Sequence, residues 1–357
     1  MGGEALPPAE RAVPDLQATT VKDWVARHDT ATFLVITYGI SWPLWILSGA
    51  LGRAPIRAPD LAWLVAQIGV FAPALAGMVV GASAEPAGLR RAVRLVGSVY
   101  LPATALGLWI ATRGFASFVA VDAGSAWAMA GLAVWILVSL GARRNRLVRW
   151  PGSSTDNGRT FLWSAGSLLA PPLLFLAAWG MTNVPADRSS SIPAMPVRDL
   201  TALGFVAAFT MNLAYGGSLG EEPGWRGAWL PRLLRRHSPL AASVIISFWW
   251  ALWHAPIDLS QGFALGGIGA LIIRQVWTLP LTIIFTWVML RAGGSLLPTL
   301  VLHAAINAIP DFALAQPARY ENALVLFGVF LGALAIVATR ADSRLRTAPP
   351  EAHGEHV

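Results

Sequence analysis

The chain has 357 residues, of which 55% are hydrophobic and 13% charged, with a mean hydropathy of +0.56. A soluble globular domain carries about 25% charged residues, so a soluble fold is excluded and the bilayer is the expected solvent. There is no cysteine, which removes disulfide scaffolds, thiolate metal sites and cysteine nucleophiles, and the net charge of +7 comes from one Lys and twenty-five Arg. In so apolar a chain, with no soluble domain to present a basic patch, that surplus reads as loop charge that orients spans, and nucleic acid is not an expected partner.

The first thirty residues are polar and mixed in charge (Glu4, Glu10, Asp15, Lys22, Asp23, Arg27). They lack the charged-then-apolar order of a cleaved signal peptide, so 1–30 are expected to remain as a cytoplasmic tail. A helix of about twenty apolar residues crosses a hydrocarbon core. Windows of that length fall near 32–51, 61–82, 95–112, 125–142, 161–181, 203–222, 240–256, 268–290, 295–313 and 322–339. The expected fold is an all-α polytopic transmembrane bundle of about eight to ten spans over residues 31–340, followed by a polar cytoplasmic tail over 341–357. With the N-terminus inside, eighteen basic residues fall on the cytoplasmic side and six outside. That bias puts both termini in the cytoplasm, in a membrane expected to be the bacterial plasma membrane. No internal repeat and no matched pair of broken helices marks the chain as a secondary transporter.

Ionisable groups inside a bilayer are costly and usually face a polar cavity. The acidic residues lie in tails, loops or span ends apart from the adjacent Glu221 and Glu222, and of six histidines only His254 and His303 fall inside apolar spans. Residues four apart share a helical face, so Arg226 pairs with Glu222 while Asn307 stands beside His303. Glu221, about 100° further round, is left without a local cation and free to act as a base. Pro223 cannot donate to the carbonyl of Leu219, and Gly224 follows, so a kink is expected there. Counting from basic span ends, Glu221 lies about 21 Å deep, His254 about 24 Å and His303 about 18 Å, with Ser238-Pro239 as cap and first position of the helix that carries His254. The three groups can share one layer.

Two routes to amide hydrolysis are open to such a set. In the favoured one no cofactor is required: Glu221 with His254 activates a water, and His303 with the Asn307 amide holds the oxyanion. In the other, Glu221, His254 and His303 hold a divalent metal such as Zn²⁺. The spacing HExxH is absent. Taken singly, a buried histidine or a Glu222–Arg226 pair is more often structural. Trp249, Trp250 and Trp253 read as packing and cavity walls, and Arg274 has no evident local partner.

The three motifs, Glu221-Glu222 with Arg226, Trp250 with His254, and His303 with Asn307, resemble the CPBP or Abi family of type II CAAX prenyl endopeptidases and bacteriocin-processing or immunity proteins. Gly-Trp-Arg-Gly after the glutamates and Gly-Gly-Ser-Leu-Leu-Pro before the last histidine look like the family as well. The resemblance covers roughly 200–310 and implies an eight-helix core and an intramembrane protease. By that resemblance Glu221 and His254 activate water and His303 and Asn307 are oxyanion partners, with Glu222, Arg226 and Trp250 in support. Trp250 stands where the family more often has Phe. The expected function is hydrolysis of a peptide bond in a membrane-associated or lipidated protein. A non-catalytic membrane scaffold or immunity-type protein is the alternative, and a transporter using Arg274 a third reading.

Overall fold

The computed structural model describes residues 21–51, 61–84, 90, 93–94, 96–105, 130–138, 156–183, 202–215, 217–261, 267–313 and 317–347, and among these there is no strand. The helices run α1 Val21–Arg27, α2 Asp29–Leu51, α3 Leu61–Val70, α4 Ala72–Ala84, a π turn Val96–Tyr100, then α5 Asn157–Thr182 and α6 Ala202–Ala214. They continue as α7 Ser218–Gly224, a π turn Trp225–Trp229, α8 Leu230–Leu233, α9 Pro239–Trp253, α10 Ala255–Gln261, α11 Gly267–Arg291, α12 Leu297–Ala313 and α13 Pro317–Ala341. The chain is an all-α helical bundle. Five stretches are long and apolar enough to cross a membrane: Asp29–Leu51, Val65–Ser83, Asn157–Thr182, Gly267–Arg291 and Tyr320–Ala341. Three shorter apolar helices accompany them, Phe205–Ala214, Pro239–Trp253 and Leu297–Ile309. The expected spans at 95–112 and 125–142 lie partly outside the described residues, and the parts described, 96–105 and 130–138, are helical.

The short helices gather around the polar motifs. α12 packs on α5 and α6, α9 on α11, α7 on α4 and α12, and α2 on α3, α4 and α10. Two expected spans are interrupted instead of continuous. The 203–222 window breaks at Gly217, whose φ of 128° belongs to glycine. Where the kink is expected at Pro223, α7 passes into the π turn after Gly224, and the Tyr100 hydroxyl donates to the Leu219 carbonyl, the acceptor that Pro223 leaves without a partner. Pro73 is treated alike, since Ser41 Oγ donates to the Gly69 carbonyl at 2.8 Å. In both places a hydroxyl from elsewhere in the chain replaces the missing backbone donor, which is how helices in lipid tolerate proline.

The 240–256 window ends early, at Trp253. Pro256 has no N–H for the Leu252 carbonyl, and His254 N turns back to Ala251 O at 3.1 Å. His254 therefore sits at a helix end and not within a span. The carbonyls exposed there are satisfied by α2, whose Tyr38 hydroxyl and Trp42 indole donate to Trp249 O at 2.5 Å and Trp253 O at 3.1 Å. At the other end Ser238 Oγ accepts from Ala241 N at 3.3 Å ahead of Pro239, the expected cap.

Carboxylates tie the helix ends together. Asp29, at the start of α2, accepts from Arg232 Nε at 2.7 Å. Asp342, just past α13, accepts from Arg291 Nε at 2.7 Å and from Arg344 Nε at 3.0 Å. The Arg344 hydrogen bonds hold the Asp342 carboxyl down at about 2.

Candidate active site

α7 carries the two glutamates, and its back is made of glycine. A Cβ on Gly220 would lie 2.6 Å from the Val70 carbonyl oxygen, and one on Gly224 would lie 2.2 Å from that of Pro73. The Gly-x-x-x-Gly spacing lets α7 approach the backbone of α3 and α4 directly. The opposite side is equally tight around Gly217, where a Cβ would stand 2.6 Å from Glu221 Oε1 and 3.1 Å from His303 Nε2. Those two atoms therefore share the space in front of Gly217.

Glu222 and Arg226 are fully buried and meet at 2.8 Å, Nη1 to Oε1, as the four-residue spacing implies. The same Oε1 lies 2.8 Å from His303 Nδ1. A carboxylate paired with Arg only accepts, so Nδ1 carries the proton and His303 presents Nε2 toward Glu221. Arg226 also donates from Nη2 to Thr282 Oγ1 at 3.3 Å, and its guanidinium lies between two aromatic faces, 4.4 Å from the Trp250 ring centroid and 4.8 Å from that of Phe285. Each such contact contributes up to about 2 kcal/mol when water is excluded.

Glu221 is 4% exposed and has a different partner: the Trp250 indole N–H donates to its Oε2 at 2.5 Å. His254 Nδ1 lies 2.7 Å from the Trp250 carbonyl, which can only accept, so this imidazole too presents Nε2. The Trp250 ring centroid lies 5.8 Å from that of His254 and 5.8 Å from that of His303. Glu221, Arg226, His254 and His303 thus each contact Trp250, and Glu222 joins them through Arg226 and His303. No direct hydrogen bond joins Glu221 to His254 among the described residues; Trp250 lies between them. Asn307 follows His303 by one turn of α12 and is partly exposed.

Both bare Nε2 atoms have the tautomer a metal ligand needs. Among the described residues, however, no three His, Asp or Glu side chains come close enough to hold an ion. Glu221, His254 and His303, the expected alternative ligand set, do not form such a group in this structure.

Three features escape the sequence. Gly217 forms part of the wall, and its only trace is the Gly216-Gly217 pair. Trp250 is a hydrogen-bond donor as well as packing. Arg274, expected without a partner, donates to Asp258 from Nε at 2.8 Å and Nη2 at 2.5 Å. Asp258 is fully buried on α10, and its backbone N–H donates to the His254 carbonyl at 3.0 Å. The bidentate pair joins α10 to α11 directly beyond His254, and it neutralises the cation on which a transporter reading would rely. Asp258→Asn strands the Arg274 charge and is expected to cost about 2–3 kcal/mol, less than a wholly buried pair because Arg274 is partly exposed. Thermal unfolding in detergent checks this, and Asp258→Asn with Arg274→Gln should recover most of the loss.

Residues 200–309 match the family model described as type II CAAX prenyl endopeptidase Rce1-like. CAAX prenyl protease 2 of Methanococcus maripaludis is 32% identical over 117 residues, 30% of this chain and 42% of the relative. The chain therefore matches less than half the length of that relative. The matched segment contains Glu221, Glu222, Arg226, Trp250, His254, His303 and Asn307. Residues 200–309 of this apolar, helical membrane protein are thus similar to the Rce1-like type II CAAX prenyl endopeptidases.

Proposed function

We propose that the chain is an intramembrane endopeptidase that hydrolyses a peptide bond of a membrane-associated, lipid-modified protein or peptide. The observation that carries this reading is the shared space before Gly217. A carboxylate oxygen of Glu221 and Nε2 of His303 face it together, and His254 presents its own bare Nε2 across Trp250.

Glu221 takes a proton from a water whose oxygen attacks the scissile carbonyl. His254 Nε2 accepts a hydrogen bond from that water and orients it, and the proton taken up by Glu221 passes to the leaving amine as the C–N bond breaks. To donate at Nε2 as well as at Nδ1, where Glu222 accepts, His303 acts in its doubly protonated form and not in the neutral form whose Nε2 is bare. Its Nε2–H and the Asn307 amide then stabilise the oxyanion. Glu222 and Arg226 hold His303 in place. The products are a carboxylate and an amine, with one water consumed. We place both termini in the cytoplasm of a bacterial plasma membrane, on the distribution of arginine.

The test is release of a C-terminal fragment, followed by mass spectrometry, from a prenylated peptide and its unprenylated twin mixed with the protein in liposomes. Cleavage of the prenylated peptide supports the reading. Cleavage of both alike would remove lipid recognition from it. Cleavage of neither, by protein shown to be folded, would favour a scaffold in which the buried Glu222–Arg226–His303 network only braces the bundle.

A further inference from the structure

Trp250 touches the polar cluster in three ways, and only one of them needs an indole. Its carbonyl accepts from His254 Nδ1, which any residue could provide. Its ring faces Arg226 at 4.4 Å, which a phenyl ring could also do. Its N–H donates to Glu221 Oε2, and phenylalanine has no such donor. Among the described residues the neighbouring Trp225 and Trp253 have no partner for their buried indole nitrogens, so pairing is not simply what a tryptophan in this core does.

We propose that the Trp250 N–H is a positioning device for Glu221, and that it sets which carboxylate oxygen meets the reacting water. Holding Oε2 on one side turns Oε1 to the space before Gly217, beside His303 Nε2. One residue thereby orients both groups that handle the water: Glu221 through its side chain and His254 through its backbone. Because the ring also covers Arg226, the Glu222–Arg226–His303 chain and Glu221 are braced against the same indole. Without the donor, the Glu221 carboxyl has no hydrogen bond among the described residues and its plane is free to rotate. This inference rests on the peptidase reading for its kinetic consequence, but the hydrogen bond can be measured without it.

The experiment deletes the N–H and keeps the shape. Trp250 is replaced site-specifically by 3-benzothienylalanine, which has sulfur in place of the indole nitrogen, and by 5-fluorotryptophan, which keeps the donor. The benzothienyl protein is expected to lose about tenfold to hundredfold in kcat, with KM within about twofold and the thermal midpoint unchanged. The fluorinated protein should match the wild type, and Trp250→Phe should follow the benzothienyl protein. Equal losses from both analogues would assign the effect to ring shape and overturn the proposal, as would an unchanged benzothienyl protein. An infrared difference between wild type and Glu221→Gln isolates the Glu221 carboxyl band. That band should move in the benzothienyl protein, and a fixed band overturns the proposal whatever the activity. Absence of cleavage by folded wild-type protein, by contrast, defeats the peptidase reading and leaves the infrared result standing.

Discussion

Glu221→Gln protein, folded and inserted as the wild type is, loses peptide cleavage by about 10²–10⁴-fold, the range that a positioned general base contributes. The substitution preserves size and keeps an acceptor for the Trp250 N–H, so packing changes little. What disappears is the site for the water's proton. Glu222→Gln serves as the contrast. It removes the charge that Arg226 and the His303 Nδ1 proton both face, at 2.8 Å each, and its damage should therefore include stability as well as rate. Equal stability losses in the two variants, with cleavage retained in Glu221→Gln, would reverse the assignment of base and brace.

Gly217→Ala is expected to lower kcat by about a hundredfold, with a smaller effect on folding. Two costs coincide. The backbone at φ 128° is one that an L side chain rarely adopts, worth about 1–3 kcal/mol. The added methyl would also lie 2.6 Å from Glu221 Oε1 and 3.1 Å from His303 Nε2, so both side chains must retreat. A displacement of about 1 Å among reacting groups costs about a hundredfold in rate. Circular dichroism and thermal unfolding separate the two costs. Wild-type turnover in Gly217→Ala would show that the space before Gly217 is not where the substrate carbonyl sits.

Local chemistry was readable in the sequence where partners are close along the chain. The Glu222–Arg226 pair follows from a spacing of four, and the Ser238-Pro239 start of α9 from capping rules. Counting residues from basic ends places Glu221, His254 and His303 where they can share a layer, and in the structure Trp250 touches all three. The failures share a different cause. At Pro223 the missing donor is visible locally, whereas the Tyr100 hydroxyl that compensates for it comes from 119 residues away. Arg274 looks solitary because Asp258 lies sixteen residues back, on a separate helix beyond a connecting segment. The donor role of Trp250 depends on how the indole ring is turned, which neighbouring helices decide and no periodicity records. His254 was placed inside a span because the window counts hydropathy and overlooks what Pro256 does to the last turn.

The glycine-lined back of α7 has a consequence for traffic. With Gly220 seated on the Val70 carbonyl and Gly224 on that of Pro73, there is no gap on that flank wide enough for an extended polypeptide. A substrate is therefore expected to reach Glu221 from a side other than that of α3 and α4. A blocking label introduced along α3 or α4 should leave entry untouched.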